Sequence, residues 1–132
     1  MDEVASYLYR HSGVVTLPAI DYKVIGHSAG GSTIWRIAKT GDLCKISPSE
    51  VVWSDSSYGM WLDRAWNGCL KGSGIKQHVF VKKWDSPYNH AKRFLKTYKH
   101  PAGIDLHVME YPWTHKTIGN SVVKLSGILD SL

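Results

Sequence analysis

Strand-like and helix-like segments alternate four times along this chain of 132 residues, which limits the folds open to it. Apolar runs bounded by turn residues predict strands at 22–27, 50–55, 78–83 and 105–111. Apolar residues at helical spacing predict helices at 29–39, 60–70, around 91–98 and from about 116. This rhythm is typical of parallel strands joined by helical crossovers. We therefore predict an α/β fold, with a parallel sheet of about four to five strands and helices on both faces.

The composition is that of one globular domain spanning residues 1–132, with 43% hydrophobic and 20% charged residues. An additional helix is expected between Asp2 and Gly13. No apolar run is long enough to span a membrane, and the acidic start of the chain does not resemble a secretory signal. Cys44 and Cys69 lack metal-like spacing. We therefore expect a cytoplasmic protein with two free thiols.

The formal net charge of +5 raises the question of a polyanionic partner. Several of the basic residues, however, lie opposite the apolar stripe of the helix around 91–98: Lys92, Arg93, Lys96 and Lys99. A solvated helix face explains them, and no nucleic-acid-binding motif is present. Nucleic acid is therefore the least favoured partner.

The segment Gly26–Gly31 reads Gly-His-Ser-Ala-Gly-Gly and joins the first predicted strand to the first predicted crossover helix. A Gly-x-Ser-x-Gly pattern in this context predicts a sharp turn that exposes the Ser28 hydroxyl above the sheet. The turn places the serine in a strained backbone region. We expect side chains at Gly26 and Gly30 to collide with the neighbouring strand and helix.

Four polar residues follow the ends of the predicted strands: Ser28, Asp55, Asp85 and His115. The carboxyl ends of parallel strands share one edge, so the topology gathers residues that are far apart in sequence. A serine hydroxyl needs a base to become nucleophilic, and imidazole suits this task near neutral pH. His115 is the candidate base, because it alone among the histidines follows the last strand in a loop.

The other histidines are expected to have structural positions. His27 flanks the serine but should point elsewhere, while His78 and His107 lie on strands where a packed or hydrogen-bonded histidine is usual. The sequence contains neither His-Glu-x-x-His nor Cys-x-x-Cys. We therefore assign no metal and no cofactor.

The residues Ile20–Gly31 resemble the nucleophile region of α/β-hydrolase esterases and lipases. The order serine, aspartate, histidine is also the order of that family. The resemblance covers nearly the whole chain but only the C-terminal half of the family's domain. It implies that Ser28 is the nucleophile, that His115 is the base, and that the backbone N–H of Ala29 is one oxyanion donor.

The resemblance leaves two candidates for the carboxylate that orients the base. Asp85 follows the third strand, where the family most often keeps its acid, and Asp55 follows the second strand, a position that some members use. The stretch from Ser54 to Gly59 also resembles the Asp-x-x-Tyr-Gly turn of certain bacterial hydrolases. Either aspartate could instead cap the following helix.

The chain departs from the family before Ser28, where the usual domain has about four more strands and the loop that supplies the second oxyanion donor. The first strand would then be an apolar sheet edge. We expect that a second copy or a complementary chain covers it, that Val14–Leu17 supplies a short extra strand, or that the chain is a fragment.

These observations predict a truncated α/β-hydrolase domain that acts as a serine esterase on a small-molecule or polymer-linked ester. The alternative is a non-catalytic binding or structural module derived from a hydrolase, or one half of a two-chain enzyme.

Overall fold

The computed structural model describes residues 22–125, with side chains described as far as residue 122. The predicted N-terminal helix and the segment Val14–Leu17 lie outside these residues. Four strands form one sheet: β1 (Lys23–His27), β2 (Glu50–Ser54), β3 (Lys76–Lys82) and β4 (Ile104–Met109). Their order in the sheet is β1-β2-β3-β4, and each neighbouring pair is parallel. The predicted α/β fold with a parallel sheet is therefore confirmed.

Helices connect the strands and follow the last one, as the apolar spacing predicted. They are α1 (Gly30–Lys39), α2 (Asp42–Ile46), α3 (Trp61–Ala65), α4 (Ser86–Thr97) and α5 (His115–Leu125). A π-helical turn, Trp66–Leu70, continues α3. The short α2 was not predicted; it follows Gly41, whose φ of 86° ends α1 in the left-handed conformation that favours glycine.

Alternating side chains of the central strands enter two apolar cores, one on each face of the sheet. Trp53 of β2 and Val79 of β3 belong to the larger core, which α1, α3 and α4 cover. Val52 and Phe80 belong to the smaller core, where residues of α5 cover the opposite face. Strands buried on both faces need continuous apolar runs, which is why β2 and β3 were recognisable from sequence.

The two cysteines correct one prediction. Cys44 in α2 and Cys69 in the π-helical turn form a disulfide, with 6.1 Å between their Cα atoms. The expectation of two free thiols is therefore wrong. The sequence separation of 25 residues gave no sign of this pairing, because α2 itself was not predicted.

The described residues contain no helix with the length and apolarity needed to cross a bilayer. The parallel arrangement places the ends of β1, β2, β3 and β4 at one edge of the sheet. The candidate site lies along this edge.

Candidate active site

Ser28 occupies the turn between β1 and α1 with a φ of 54°, a value that is uncommon for a residue with a side chain. Its N–H donates to the Ser54 carbonyl at 3.2 Å, which ties the turn to the end of β2. A Cβ at Gly26 would lie 2.8 Å from the Gly30 carbonyl oxygen, so that position requires glycine. The strained turn expected around Ser28 is present.

The expectation for Gly30 is wrong. A Cβ built on Gly30 meets no atom within 4 Å. The close approach occurs one residue later, where a Cβ on Gly31 would overlap the Ser56 carbonyl oxygen and lie 2.9 Å from the Trp61 ring. The helix that follows Ser28 therefore packs against the loop after β2 through Gly31.

Asp55 and His115 meet at the edge of the sheet, although 60 residues separate them. His115 Nδ1 lies 2.5 Å from Asp55 Oδ2, and the other carboxylate oxygen accepts the Lys82 backbone N–H at 3.1 Å. Asp55 is 1% exposed, whereas His115 retains access to solvent at the first residue of α5. The structure thus holds His115 through Nδ1 and leaves its Nε2 as the nitrogen available for proton transfer.

Asp85, the second candidate for this position, lies elsewhere. It is exposed and occupies the N-cap of α4, where its side chain makes no capping hydrogen bond. The structure therefore brings Asp55 to His115 and leaves Asp85 at the start of the next helix.

The loop after Asp55 is tied to both neighbouring elements. Ser56 Oγ donates to the Gly26 carbonyl at 2.8 Å, and Ser57 Oγ donates to the Pro87 carbonyl at 2.9 Å. Asp55 itself has a φ of 46°, and its N–H donates to the Phe80 carbonyl at 2.8 Å. These bonds fix the direction in which the Asp55 carboxylate leaves the backbone.

Gly59 is held by α4. Its N–H donates to His90 Nδ1 at 2.8 Å, and its carbonyl accepts from the Arg93 guanidinium at 3.0 Å. Arg93 also donates to the buried Asp63 at 2.9 Å. Arg93 lies on the exposed face of α4, as expected, and it also links α4 to α3 and to this loop.

His27 lies in the site, contrary to the expectation that it points elsewhere. Its ring stacks on the His115 ring with 4.4 Å between centroids, and its Nδ1 lies 2.9 Å from both the carbonyl and the hydroxyl oxygens of Ser54. A Cβ on Gly119 would lie 2.6 Å from the His27 ring, so α5 presses this ring into place. The alternation of side chains along a strand could have revealed this, because His27 lies two residues after Ile25 and therefore on the same face, which α5 covers.

Tyr58 is a further polar group beside Ser28. The Ser28 side chain acts to lower the pKa of the Tyr58 hydroxyl, so the two groups are near one another, and in the described part of the chain no hydrogen bond joins Ser28 to His115. Burial raises the pKa of the Tyr58 hydroxyl, and the negative charge of Asp55 acts in the same direction. Tyr58 therefore keeps its proton at neutral pH and can donate it in a hydrogen bond.

Ala29 follows Ser28 and occupies the exposed N-cap of α1. Among the residues described, no acceptor is bonded to its backbone N–H. This free donor lies at the N-terminus of a ten-residue helix, which favours developing negative charge.

Comparison with known proteins does not add a relative: no protein-family model, curated protein or solved structure matches this chain. The resemblance to α/β-hydrolases therefore rests on the residues around Ser28 and on the order of the site residues alone.

Proposed function

We propose that this chain is a serine hydrolase of the α/β-hydrolase type, acting on an ester. The observation that carries the proposal is the Asp55–His115 hydrogen bond of 2.5 Å at the sheet edge where Ser28 sits in a strained turn. A buried carboxylate on one imidazole nitrogen fixes the tautomer and stabilises the imidazolium. A half-buried serine at the end of the neighbouring strand is the group that such a base activates.

The reaction begins when Ser28 Oγ attacks the acyl carbon of the ester. The hydroxyl proton passes to His115 Nε2, and the carbonyl π electrons move to the oxygen of a tetrahedral intermediate. Collapse breaks the ester C–O bond, and the departing alcohol takes the proton from His115. A water molecule then repeats the sequence on the acyl-enzyme and releases the acid with Ser28 restored.

This route requires the Ser28 hydroxyl to come within hydrogen-bond distance of His115 Nε2. Catalytic hydrogen bonds are often absent or long before substrate binds. Rotation about the side-chain bond of a serine is a fast motion.

Two donors are suited to the oxyanion of the intermediate. The Ala29 N–H is the donor that the sequence resemblance implied, and the Tyr58 hydroxyl is a second one beside Ser28. Tyr58 would supply the contact that a loop preceding the nucleophile strand supplies in α/β-hydrolases. Preorganised donors of this kind stabilise charge that develops in the transition state.

The substrate is proposed to be a small-molecule or polymer-linked ester, and the chemistry requires no cofactor. The sequence predicted a cytoplasmic location, whereas the Cys44–Cys69 disulfide favours an oxidising compartment, where such bonds mainly form. Cell fractionation with thiol labelling of Cys44 and Cys69 would distinguish the cytoplasm from an oxidising compartment.

A fluorophosphonate probe tests the proposal directly, because it reacts with activated serines. We expect labelling of the wild type and none of Ser28→Ala. Ser32→Ala is the matched control, since it removes a serine one turn further along the same helix and should label normally. Equal labelling of wild type and Ser28→Ala would contradict the proposal.

The second candidate is a module whose sheet edge recruits another chain. Within the described residues β1 pairs only with β2, and Ile25 on β1 is 38% exposed. Unpaired apolar edges of this kind recruit strands. Sedimentation of the wild type and of Ile25→Lys tests this candidate, which predicts self-association that the lysine weakens.

A further inference from the structure

A second polar cluster lies on the face of the sheet that α5 partly covers. His78 of β3 pairs in register with Asp105 of β4, and His107 follows two residues later on the same face. Their potential ligand atoms all lie within 4.8 Å of one another. This cluster belongs to the middle of β3 and β4 and uses none of the residues proposed for hydrolysis.

The two imidazoles approach through their nitrogen atoms. His78 Nδ1 lies 3.0 Å from His107 Nε2. Two nitrogen ligands on a tetrahedral Zn²⁺ ion lie about 3.3 Å apart, given a Zn–N distance of roughly 2.0–2.1 Å. The two nitrogens share a hydrogen bond, so an ion would take the place of the shared proton and the nitrogens would separate by roughly 0.3 Å.

The other side of each ring is also held. Glu50 Oε1 lies 3.6 Å from His78 Nε2, just beyond hydrogen-bond distance, on the side from which a carboxylate can orient a metal-binding imidazole. The His107 ring stacks on Phe80 with 4.4 Å between centroids and 13° between planes. Glu50 thus lies beyond the far nitrogen of His78, and Phe80 lies against the face of the His107 ring.

Asp105 supplies a carboxylate next to the two rings. One of its oxygens lies 3.5 Å from Lys76 Nζ, in an exposed ion pair from which the lysine can swing away. His78 is buried, His107 is half-buried and Asp105 is exposed, so the cluster opens to solvent on one side. A water molecule can therefore complete a four-coordinate shell.

We propose that His78 Nδ1, His107 Nε2 and the Asp105 carboxylate bind a divalent transition-metal ion, with Zn²⁺ as the best match to the donor set. Two imidazoles and one carboxylate suit zinc, whereas calcium and magnesium prefer oxygen ligands alone. The ion would join β4 to β3. The role is structural, and hydrolysis at Ser28 does not pass through it.

The test is titration of the chelator-treated protein with Zn²⁺ by calorimetry. We expect one site per chain. His107→Gln should weaken binding by at least 100-fold, and Glu50→Gln should weaken it by about 10–100-fold, as loss of an orienting partner does. The matched control is His115→Gln, which alters the other histidine–aspartate pair and should leave zinc affinity unchanged.

Co²⁺ provides a second readout, because binding to the wild type alone shows whether a four-coordinate site exists. The wild type with Co²⁺ should show the visible absorption of a four-coordinate site, and Zn²⁺ should displace it. Asp105→Asn, at an exposed position, should reduce that absorption without loss of the circular dichroism of the folded chain. Absence of stoichiometric binding, or equal zinc affinity in wild type and folded Asp105→Asn, would overturn the proposal, whatever the result of the fluorophosphonate experiment.

Discussion

Two histidine clusters occupy the same sheet and are built in different ways. His115 reaches Asp55 from loops and a helix start at the carboxyl ends of the strands, where Ser28 and Asp55 both have positive φ values. His78 and His107 meet within regular strands, through register alone. The His115 imidazole contacts the buried carboxylate of Asp55, whereas the His78 and His107 imidazoles contact each other through ring nitrogens. The first arrangement suits movement of a proton, and the second suits a shared cation.

The two clusters also differ in the backbone strain that they require. Strain at the loop end persists only because the surrounding contacts enforce it. The strand cluster needs only the side-chain alternation of a sheet. If function follows this division, substitutions at the carboxyl ends of the strands should affect turnover most.

His115→Gln should lower kcat for an activated ester by up to about 10⁶-fold, because loss of the base in such a triad disables the nucleophile. The assay is hydrolysis of p-nitrophenyl acetate. His100→Gln changes an exposed histidine outside both clusters and should retain full turnover. If His115→Gln retained wild-type turnover, the Asp55–His115 pair would not be catalytic.

Asp55→Asn should lower kcat by about 10⁴-fold, because the imidazole would then be held in the wrong tautomer. Asp85→Asn should cost less than tenfold, since Asp85 lies exposed at the N-cap of α4. Steady-state kinetics of the two variants compare the loss of the carboxylate that contacts His115 with the loss of the exposed carboxylate of Asp85. A larger loss in Asp85→Asn would reverse the assignment.

Tyr58→Phe should lower kcat by about 10²–10³-fold, the usual cost of removing one oxyanion donor. KM should change little, because the donor acts on charge that develops in the transition state. Tyr88→Phe is a matched control, since Tyr88 packs against the core from α4. A change in KM alone would mean that Tyr58 contacts the substrate without stabilising the intermediate.

Gly31→Ala and Gly30→Ala should have opposite effects on stability. The first places a methyl group against the Ser56 carbonyl and should cost about 1–3 kcal/mol, as overpacking does. The second enters open space at a helix start and should stabilise by about 0.4–1 kcal/mol through the unfolded chain. Urea unfolding measures both. Equal changes in the free energy of unfolding would show that the close contact between Gly31 and Ser56 does not exclude a side chain at position 31.

The smallest effect concerns pH in the chelator-treated protein. Burial lowers the pKa of His107, with the His78 ring and Lys76 acting in the same direction and Asp105 opposing them. Below an unfolded histidine pKa of about 6.5, the unfolded chain therefore binds more protons than the folded chain. The contribution of His107 to stability is fully present above that pH and falls as the pH decreases.

Unfolding free energies between pH 7.5 and 5.5 measure this slope. His107→Gln should flatten it relative to the wild type. A slope that is unchanged in the variant would assign the pH dependence to other groups.

Much of the fold follows from local patterns. The apolar runs of β2 and β3, buried on both faces, made the strands recognisable, and Gly26 and Ser28 marked the turn into α1. The alternation of strands and helices predicted the parallel sheet and the edge where Asp55 and His115 meet. These features depend on residues close in sequence and on a topology with few alternatives.

The partners within the site were decided by tertiary structure. Asp55 and Asp85 both follow strands, and only the bonds that fix the Asp55 loop direct its carboxylate to His115. The Cys44–Cys69 disulfide likewise depends on α2, which local patterns did not reveal.

The sequence by itself determined which segments became strands and helices and which side chains could carry chemistry, because both depend on local periodicity and residue type. Only the tertiary structure decided that His27 stacks on His115, that Gly31 is the tightly packed glycine, and that His78 meets His107. Each of these contacts depends on the register between strands or the seating of a helix. A shift of one residue there would turn a side chain to the opposite face of the sheet.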